Sequence, residues 1–240
     1  MMNAIETVGL CRRYGDRCAV RDLDLSVREG ELFSLLGTNG AGKTTVIKML
    51  STLLQPSGGQ ARVMGMDVVS ERAGVREIIN ISPQETAIAP NLTVRETLEF
   101  FAGVYGIHQP AARVAELVEL FGLGEVLGQK GKTLSGGWQR KLSIALSLIT
   151  SPKVLFLDEP TLGLDVLARK ELWRVIRGLR GQVTVVLTTH YMEEAEQLSE
   201  RVCILHRGEL VAQGTPQELM ARAGCARFED AFTALVERGE

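Results

Sequence analysis

Gly37, Gly42, Lys43 and Thr44 stand at the spacing GxxxxGK[ST], inside the run GTNGAGKTT from Gly37 to Thr45. This spacing suits phosphate chemistry. Backbone N–H groups from Gly37 through Thr38, Asn39, Gly40, Ala41 and Gly42 can close around phosphate oxygens. Lys43 can reach the β and γ phosphates, and the Thr44 hydroxyl can ligate Mg²⁺, with Thr45 ending the run. The expected ligand is a nucleoside triphosphate, ATP first. A second set of candidates lies at Val154 to Asp158, VLFLD, followed by Glu159 and Pro160. An apolar strand ending in two carboxylates delivers acid to one edge: Asp158 suits Mg²⁺, and Glu159 suits an attacking water as base or orienter. Further candidates are His190, closing QVTVVLTTH, and Ser135-Gly136-Gly137, where Ser135 is expected to cap a helix whose free N–H groups attract anions.

These groups meet only if the elements carrying them are neighbours. Apolar alternation in AIETVGLCRRY and CAVRDLDLSV, around Tyr14-Gly15-Asp16-Arg17, predicts two strands joined by a tight turn. ELFSLLG predicts a buried strand, the P-loop a helix through about Leu54 ended by QPSGG, and ARVMGMDVV another short strand. From Leu92 to about Thr150 the spacing turns helical, with Thr93 and Glu96 as a capping box. Strands return at KVLFLDEP and QVTVVLTTH around the helix VLARKELWRVIRGL. RVCILHRGELVAQ is strand-like, Thr215-Pro216 opens a helix, and Phe228, Phe232, Leu235 and Val236 share one face of a last helix. In open α/β sheets ligands gather at the carboxyl ends of strands, where the P-loop, Asp158 and His190 would then converge.

The 240 residues are 45% hydrophobic and 23% charged, with a formal net charge of −2, enough for a sizeable core and without a basic footprint for nucleic acid. No nucleic-acid partner is expected. Cys11, Cys18, Cys203 and Cys225 lack CxxC spacing and read as reduced thiols. No stretch approaches the ~20 apolar residues of a membrane span, so a membrane role would come through a partner.

The order of motifs resembles the ATP-binding subunit of an ABC transporter along almost the whole chain. Gly37 to Thr45 matches that family's P-loop, Gln84 in ISPQE its Gln loop, LSGG its signature, and VLFLDEP its carboxylate strand. Leu164-Asp165 and His190 match its last two elements. The resemblance implies an α/β P-loop NTPase core with a parallel sheet, an N-terminal antiparallel β subdomain and an inserted helical subdomain. Residues 1–91 and 151–224 would form the core, 92–150 the helical signature part, and 225–240 a short C-terminal helix. It also implies a head-to-tail dimer, with ATP held between one P-loop and the partner's Ser135, Gly136 and Gly137. In that site Gln84 contacts Mg²⁺ and a separately encoded transmembrane subunit, Glu159 polarises water, His190 touches the γ-phosphate and Asp165 communicates across the dimer. Tyr14 stacks on adenine, at about 1 to 3 kcal/mol by analogy with base stacking.

Two residues depart from the family pattern: Trp138 stands where Gln is usual, and Thr38 where Pro is commoner. Neither removes a catalytic group, and Trp138 is expected to alter packing or dimer affinity. TTHYMEEAEQLSERV and FEDAFTALVERGE resemble the bacterial branch that exports drugs, lipids, polysaccharides or ions. The implied location is the cytoplasmic face of the inner membrane. The competing reading is a soluble ABC ATPase of DNA repair, translation or iron–sulfur assembly. Its long coiled-coil insertion, duplicated unit or basic surface is not evident. A P-loop GTPase or small-molecule kinase fits less well, since NKxD is absent and neither explains LSGG ahead of VLFLDEP.

Overall fold

The computed structural model describes residues 2–238; Met1 and the last two positions of the expected C-terminal helix, Gly239 and Glu240, lie outside the described residues. The predicted N-terminal hairpin is β1 (Asn3–Tyr14) and β2 (Arg17–Arg28), paired antiparallel. It joins β4 (Gly58–Val63) and β5 (Met66–Asp67) in a four-stranded sheet of order β2-β1-β4-β5. ARVMGMDVV is therefore not one strand. Met64 (φ 49°) and Gly65 (φ 81°) turn the chain back on itself, since positive φ at both central residues is what a tight hairpin of matching twist needs.

The second sheet carries the chemistry. Its order is β10-β9-β3-β8-β7-β6, from β3 (Leu32–Leu36), β6 (Ile79–Ser82), β7 (Val154–Asp158), β8 (Thr184–Thr189), β9 (Arg201–His206) and β10 (Glu209–Gly214). All neighbours are parallel except the β9–β10 hairpin, which splits the strand-like RVCILHRGELVAQ at Arg207-Gly208. Sequence reading missed β6 and the preceding α2 (Arg72–Ile78), because four and seven residues are too short to show a period. The central strands are apolar throughout, since both faces are covered. On β7, Leu155 and Leu157 enter a cluster with the helices, while Val154 and Phe156 enter one with the antiparallel sheet.

α1 (Lys43–Leu50) follows the P-loop and stops four residues before the expected Leu54. The next helices are α3 (Val94–Val104), α4 (Pro110–Phe121) and α5 (Gly136–Leu148). α3 opens on the Thr93–Glu96 capping box, and α4 runs from Pro110 at its first turn to Gly122 in the left-handed conformation. Their apolar faces meet around Val94, Leu98, Leu117, Phe121 and Leu142. α6 (Val166–Gly178) and α7 (Met192–Leu198) close the same side of the parallel sheet. α8 (Pro216–Ala223) and α9 (Phe228–Arg238) pack on β9 and β10 through Leu219, Phe228, Phe232 and Leu235. No helix among the described residues is long and apolar enough to cross a membrane.

Candidate functional site

β3, β7 and β8 are adjacent and parallel, so their carboxyl ends bring the P-loop, Asp158 and His190 to one edge. The loop can turn there only with glycine at two positions. A Cβ on Gly37 would lie 2.4 Å from the Leu205 carbonyl oxygen. One on Gly42, whose φ is 103°, would lie 2.6 Å from that of Ala19. The loop thus lies pressed between β2 and β9.

Lys43 is buried beneath the loop it follows. Its Nζ donates to the carbonyls of Gly37 (2.7 Å) and Thr38 (3.2 Å) and pairs with Glu159 Oε1 at 3.3 Å. Glu159 Oε2 lies 2.8 Å from His190 Nδ1; an ionised carboxylate only accepts, so Nδ1 carries the proton in this contact. Glu159 itself has φ 49°, an uncommon conformation for a carboxylate residue and one found where a site over-determines the backbone. Its N–H is held by the Thr188 hydroxyl (3.0 Å) and carbonyl (3.2 Å). Thr188 also donates to Asp158 Oδ1 at 2.5 Å, while the Thr44 hydroxyl lies 3.1 and 3.2 Å from the two Asp158 oxygens. The result is a buried chain Lys43–Glu159–His190 beside a Thr44–Asp158 oxygen pair.

A cleft of about 440 Å³ opens over this network, lined by Tyr14, Arg17, Ala19, Asn39 to Thr45, Gln84 and Glu159. A larger cavity of about 1060 Å³ lies at the opposite, amino end of the sheet, away from the P-loop, Asp158 and Glu159; in it Arg201 pairs with Glu31 at 2.8 Å and Arg180 with Glu200. The smaller cleft is therefore the candidate site. Tyr14 stands half exposed at its mouth. The Arg12 guanidinium, 4.6 Å from the ring centroid and held by the Gln55 carbonyl at 2.8 Å, backs one ring face. The other oxygen-rich corner fits Mg²⁺, which favours one or two protein oxygens completed by phosphate and water over an all-protein cage. Thr44 and Asp158 supply such oxygens, with Gln84 across the cleft.

The remaining predicted residues lie outside this cleft. Ser135 occupies the N-cap position of α5 as expected, but its hydroxyl makes no cap hydrogen bond, which corrects the capping role read from sequence. Ser135 and Gly136 are exposed, and a Cβ on Gly137 would come 3.1 Å from that of Ala168, so the signature packs against the first turn of α6. Asp165 caps that helix, accepting from Leu167 N (2.9 Å) and Ala168 N (3.0 Å). One chain alone does not bring these groups to its own P-loop.

Four residues of the site escaped the sequence reading. Arg17 and Ala19 line the cleft from β2, and Thr188 organises both carboxylates. Arg140, buried on α5, donates to the carbonyls of Pro160 (2.8 Å), Asp158 (2.9 Å), Pro83 (2.5 Å) and Gln84 (3.3 Å). Burial pulls its pKa down to about 10 against the opposing pull of Asp158, Glu194 and Glu159. Position in an apolar helix gave no hint of this hub, though a buried arginine must find acceptors somewhere.

Comparison with known proteins agrees with the geometry. The family model described as ABC transporter matches residues 20–162, and a model for an AAA domain matches residues 132–194. The chain is 45% identical over 224 residues to the daunorubicin/doxorubicin resistance ATP-binding protein DrrA of Streptomyces peucetius, covering 92% of this chain and 68% of that protein. It is 43% identical over 223 residues to the Nod factor export ATP-binding protein I of Burkholderia orbicola, covering 91% and 73%. A solved chain described as the structure of the ATP binding subunit of an ABC transporter superposes with a TM-score of 0.85 at 27% identity, over 97% of this chain and 99% of that one.

Proposed function

This chain belongs to the ABC transporter family as an ATP-binding subunit and ATPase, and on that premise we propose that it powers an exporter through a head-to-tail dimer. The observation that carries the proposal is the Lys43–Glu159–His190 chain beside Thr44 and Asp158, under a cleft with Tyr14 at its mouth. Lys43 is placed to exchange its contact with Glu159 for the β and γ phosphates. Glu159, freed from that contact but still held by His190, polarises the attacking water, a role worth ~10² to 10⁴ in rate. Thr44, Asp158 and Gln84 would hold Mg²⁺, which would supply charge neutralisation at the phosphates. Tyr14 takes the adenine on the ring face that Arg12 leaves open.

The exposed Ser135 and Gly136, at the N-terminus of a 13-residue helix, support completion of the site by a second copy. Asp165, fixed at the start of the helix that the signature packs against, then lies at the junction between copies. Gln84 and α3, which exposes Phe100, Val104 and Tyr105, would receive a helix of separately encoded membrane subunits, placing the chain peripherally on the cytoplasmic face of the membrane. The exporter reading follows the names of relatives that confer drug resistance or export Nod factor. The different cargoes in those names support cargo choice by the membrane subunits. ATP closes the dimer and hydrolysis reopens it, so the nucleotide acts as a conformational ligand.

The test is Glu159→Gln. Turnover should fall by about 10²- to 10⁴-fold, and the protein should accumulate as an ATP-bound dimer on size-exclusion chromatography. A variant that hydrolyses normally and stays monomeric with ATP would overturn the assignment.

A further inference from the structure

Glu194 is fully buried, a charged residue type at zero exposure on the short helix that starts two positions after His190. Its Oε1 accepts from the Thr161 hydroxyl at 2.7 Å and from the Trp173 indole N–H at 3.0 Å. Thr161 stands two residues after Glu159, and Trp173 projects from α6, the helix that Asp165 caps. Both partners are themselves buried.

These contacts close a ring. One arc runs Glu159-Pro160-Thr161 and the other His190 to Glu194. Their near ends meet at Glu159 Oε2 and His190 Nδ1, 2.8 Å apart, and their far ends at Thr161 and Glu194. Pro160 stiffens the first arc, and Arg140 holds its carbonyl from outside at 2.8 Å. Across the second arc, Arg169 of α6 lies over the Tyr191 ring at 5.1 Å. With one end pinned and both arcs short, the Thr161–Glu194 contact adds to the Thr188 hold on the Glu159 N–H in fixing the separation of Glu159 and His190.

We infer that Glu194 is a positioning residue for hydrolysis, holding the turn after Glu159 and the helix after His190 at the spacing that keeps their side chains in contact. The inference rests on the proposed roles of Glu159 and His190. Both hydrogen bonds go to Oε1, so an amide oxygen of the same shape should accept them as well; burial pushes the Glu194 carboxyl above the usual carboxylate range, opposed by its hydrogen bonds.

Steady-state ATP hydrolysis and equilibrium ATP binding by the purified full chain would decide it, with Glu194→Gln, Glu194→Leu, Thr161→Val and Trp173→Phe compared with the parent. Glu194→Gln should keep kcat within about 3-fold. Glu194→Leu and Thr161→Val should lower kcat by about 30-fold, part of the ~10²-fold that a 1 Å misplacement can cost, with ATP affinity and KM nearly unchanged. Trp173→Phe leaves the ring closed and should lower thermal stability with kcat retained. If Glu194→Leu fails to fold, Thr161→Val, which keeps volume, decides alone. Parental kcat in a folded Thr161→Val protein would overturn the inference, as would an equal loss of kcat in Trp173→Phe, the mark of general packing. Glu159→Gln serves as control: parental turnover there would refute the hydrolytic reading itself and not the pin.

Discussion

The two halves of the proposed ATP site differ in how they are built. In the P-loop half the charged groups of the motifs are buried and bonded: Lys43, Asp158 and Glu159 are each at most 7% exposed, and each has partners from at least one other segment. In the signature half Ser135 and Gly136 are exposed, and the Ser135 hydroxyl does not cap its own helix. The first half is organised within one chain and would bind phosphate by itself. The second is left open to solvent, its helix braced on α6 through Gly137 against Ala168 and Lys141 against Glu171. That asymmetry supports the proposed dimer, in which each copy can bind ATP and hydrolysis needs both.

The comparison can be broken at either half. The largest effect is expected of Lys43→Ala, which removes the cation from the phosphates and leaves Glu159 with one partner fewer. Turnover should fall by about 10²- to 10³-fold, as for loss of a preorganised charge-stabilising donor, and ATP affinity with it, read by equilibrium binding. Ser135→Arg should cost about 10²-fold in turnover while one chain binds ATP as before. Its thermal stability should move little, since surface changes stay within about 0.5 kcal/mol. Equal losses of binding in both variants would erase the distinction between the halves. Tyr14→Ala should raise the Kd for ATP by the equivalent of about 1 to 3 kcal/mol and leave kcat alone; titration with ATP against an abasic triphosphate analogue would show whether the loss lies at the base.

The smallest effect is expected of Trp138→Gln. Its ring carries Lys141 Nζ at 4.3 Å from the centroid, and Lys141 reaches Glu171 on α6 at 2.9 Å, so the indole braces α5 against α6. Restoring the usual Gln should change ATPase rate by less than about 3-fold, with any shift appearing in the concentration dependence of dimerisation. A rise from undetectable to normal turnover would show that Trp138 blocks the signature.

Much of the site was legible because its motifs are local. GxxxxGK[ST] needs only a turn and a helix start, and VLFLDEP only a strand that ends, so both are written in consecutive residues. The unbroken apolar run from Val154 to Leu157 likewise required a sheet covered on both faces. Short elements, by contrast, carried no period. The hairpin at Met64-Gly65, α2 and β6 therefore escaped, and α1 ended earlier than its apolar pattern suggested.

The sequence by itself determined which groups could touch phosphate, metal and water, because residue type and local spacing set that chemistry. Only the tertiary structure decided which of them meet. Thr44 and Asp158 lie 114 positions apart, Arg140 and Pro83 57, and Glu194 and Thr161 33. No local pattern encodes such pairs; they follow from strand order, which sets β8 between β3 and β7 and so fixes which loop ends share an edge. The same physics left the signature outside the cleft. The helix that carries it is anchored by its buried middle to β7 and the Gln loop, and its N-terminus stays exposed, as the proposed dimer requires.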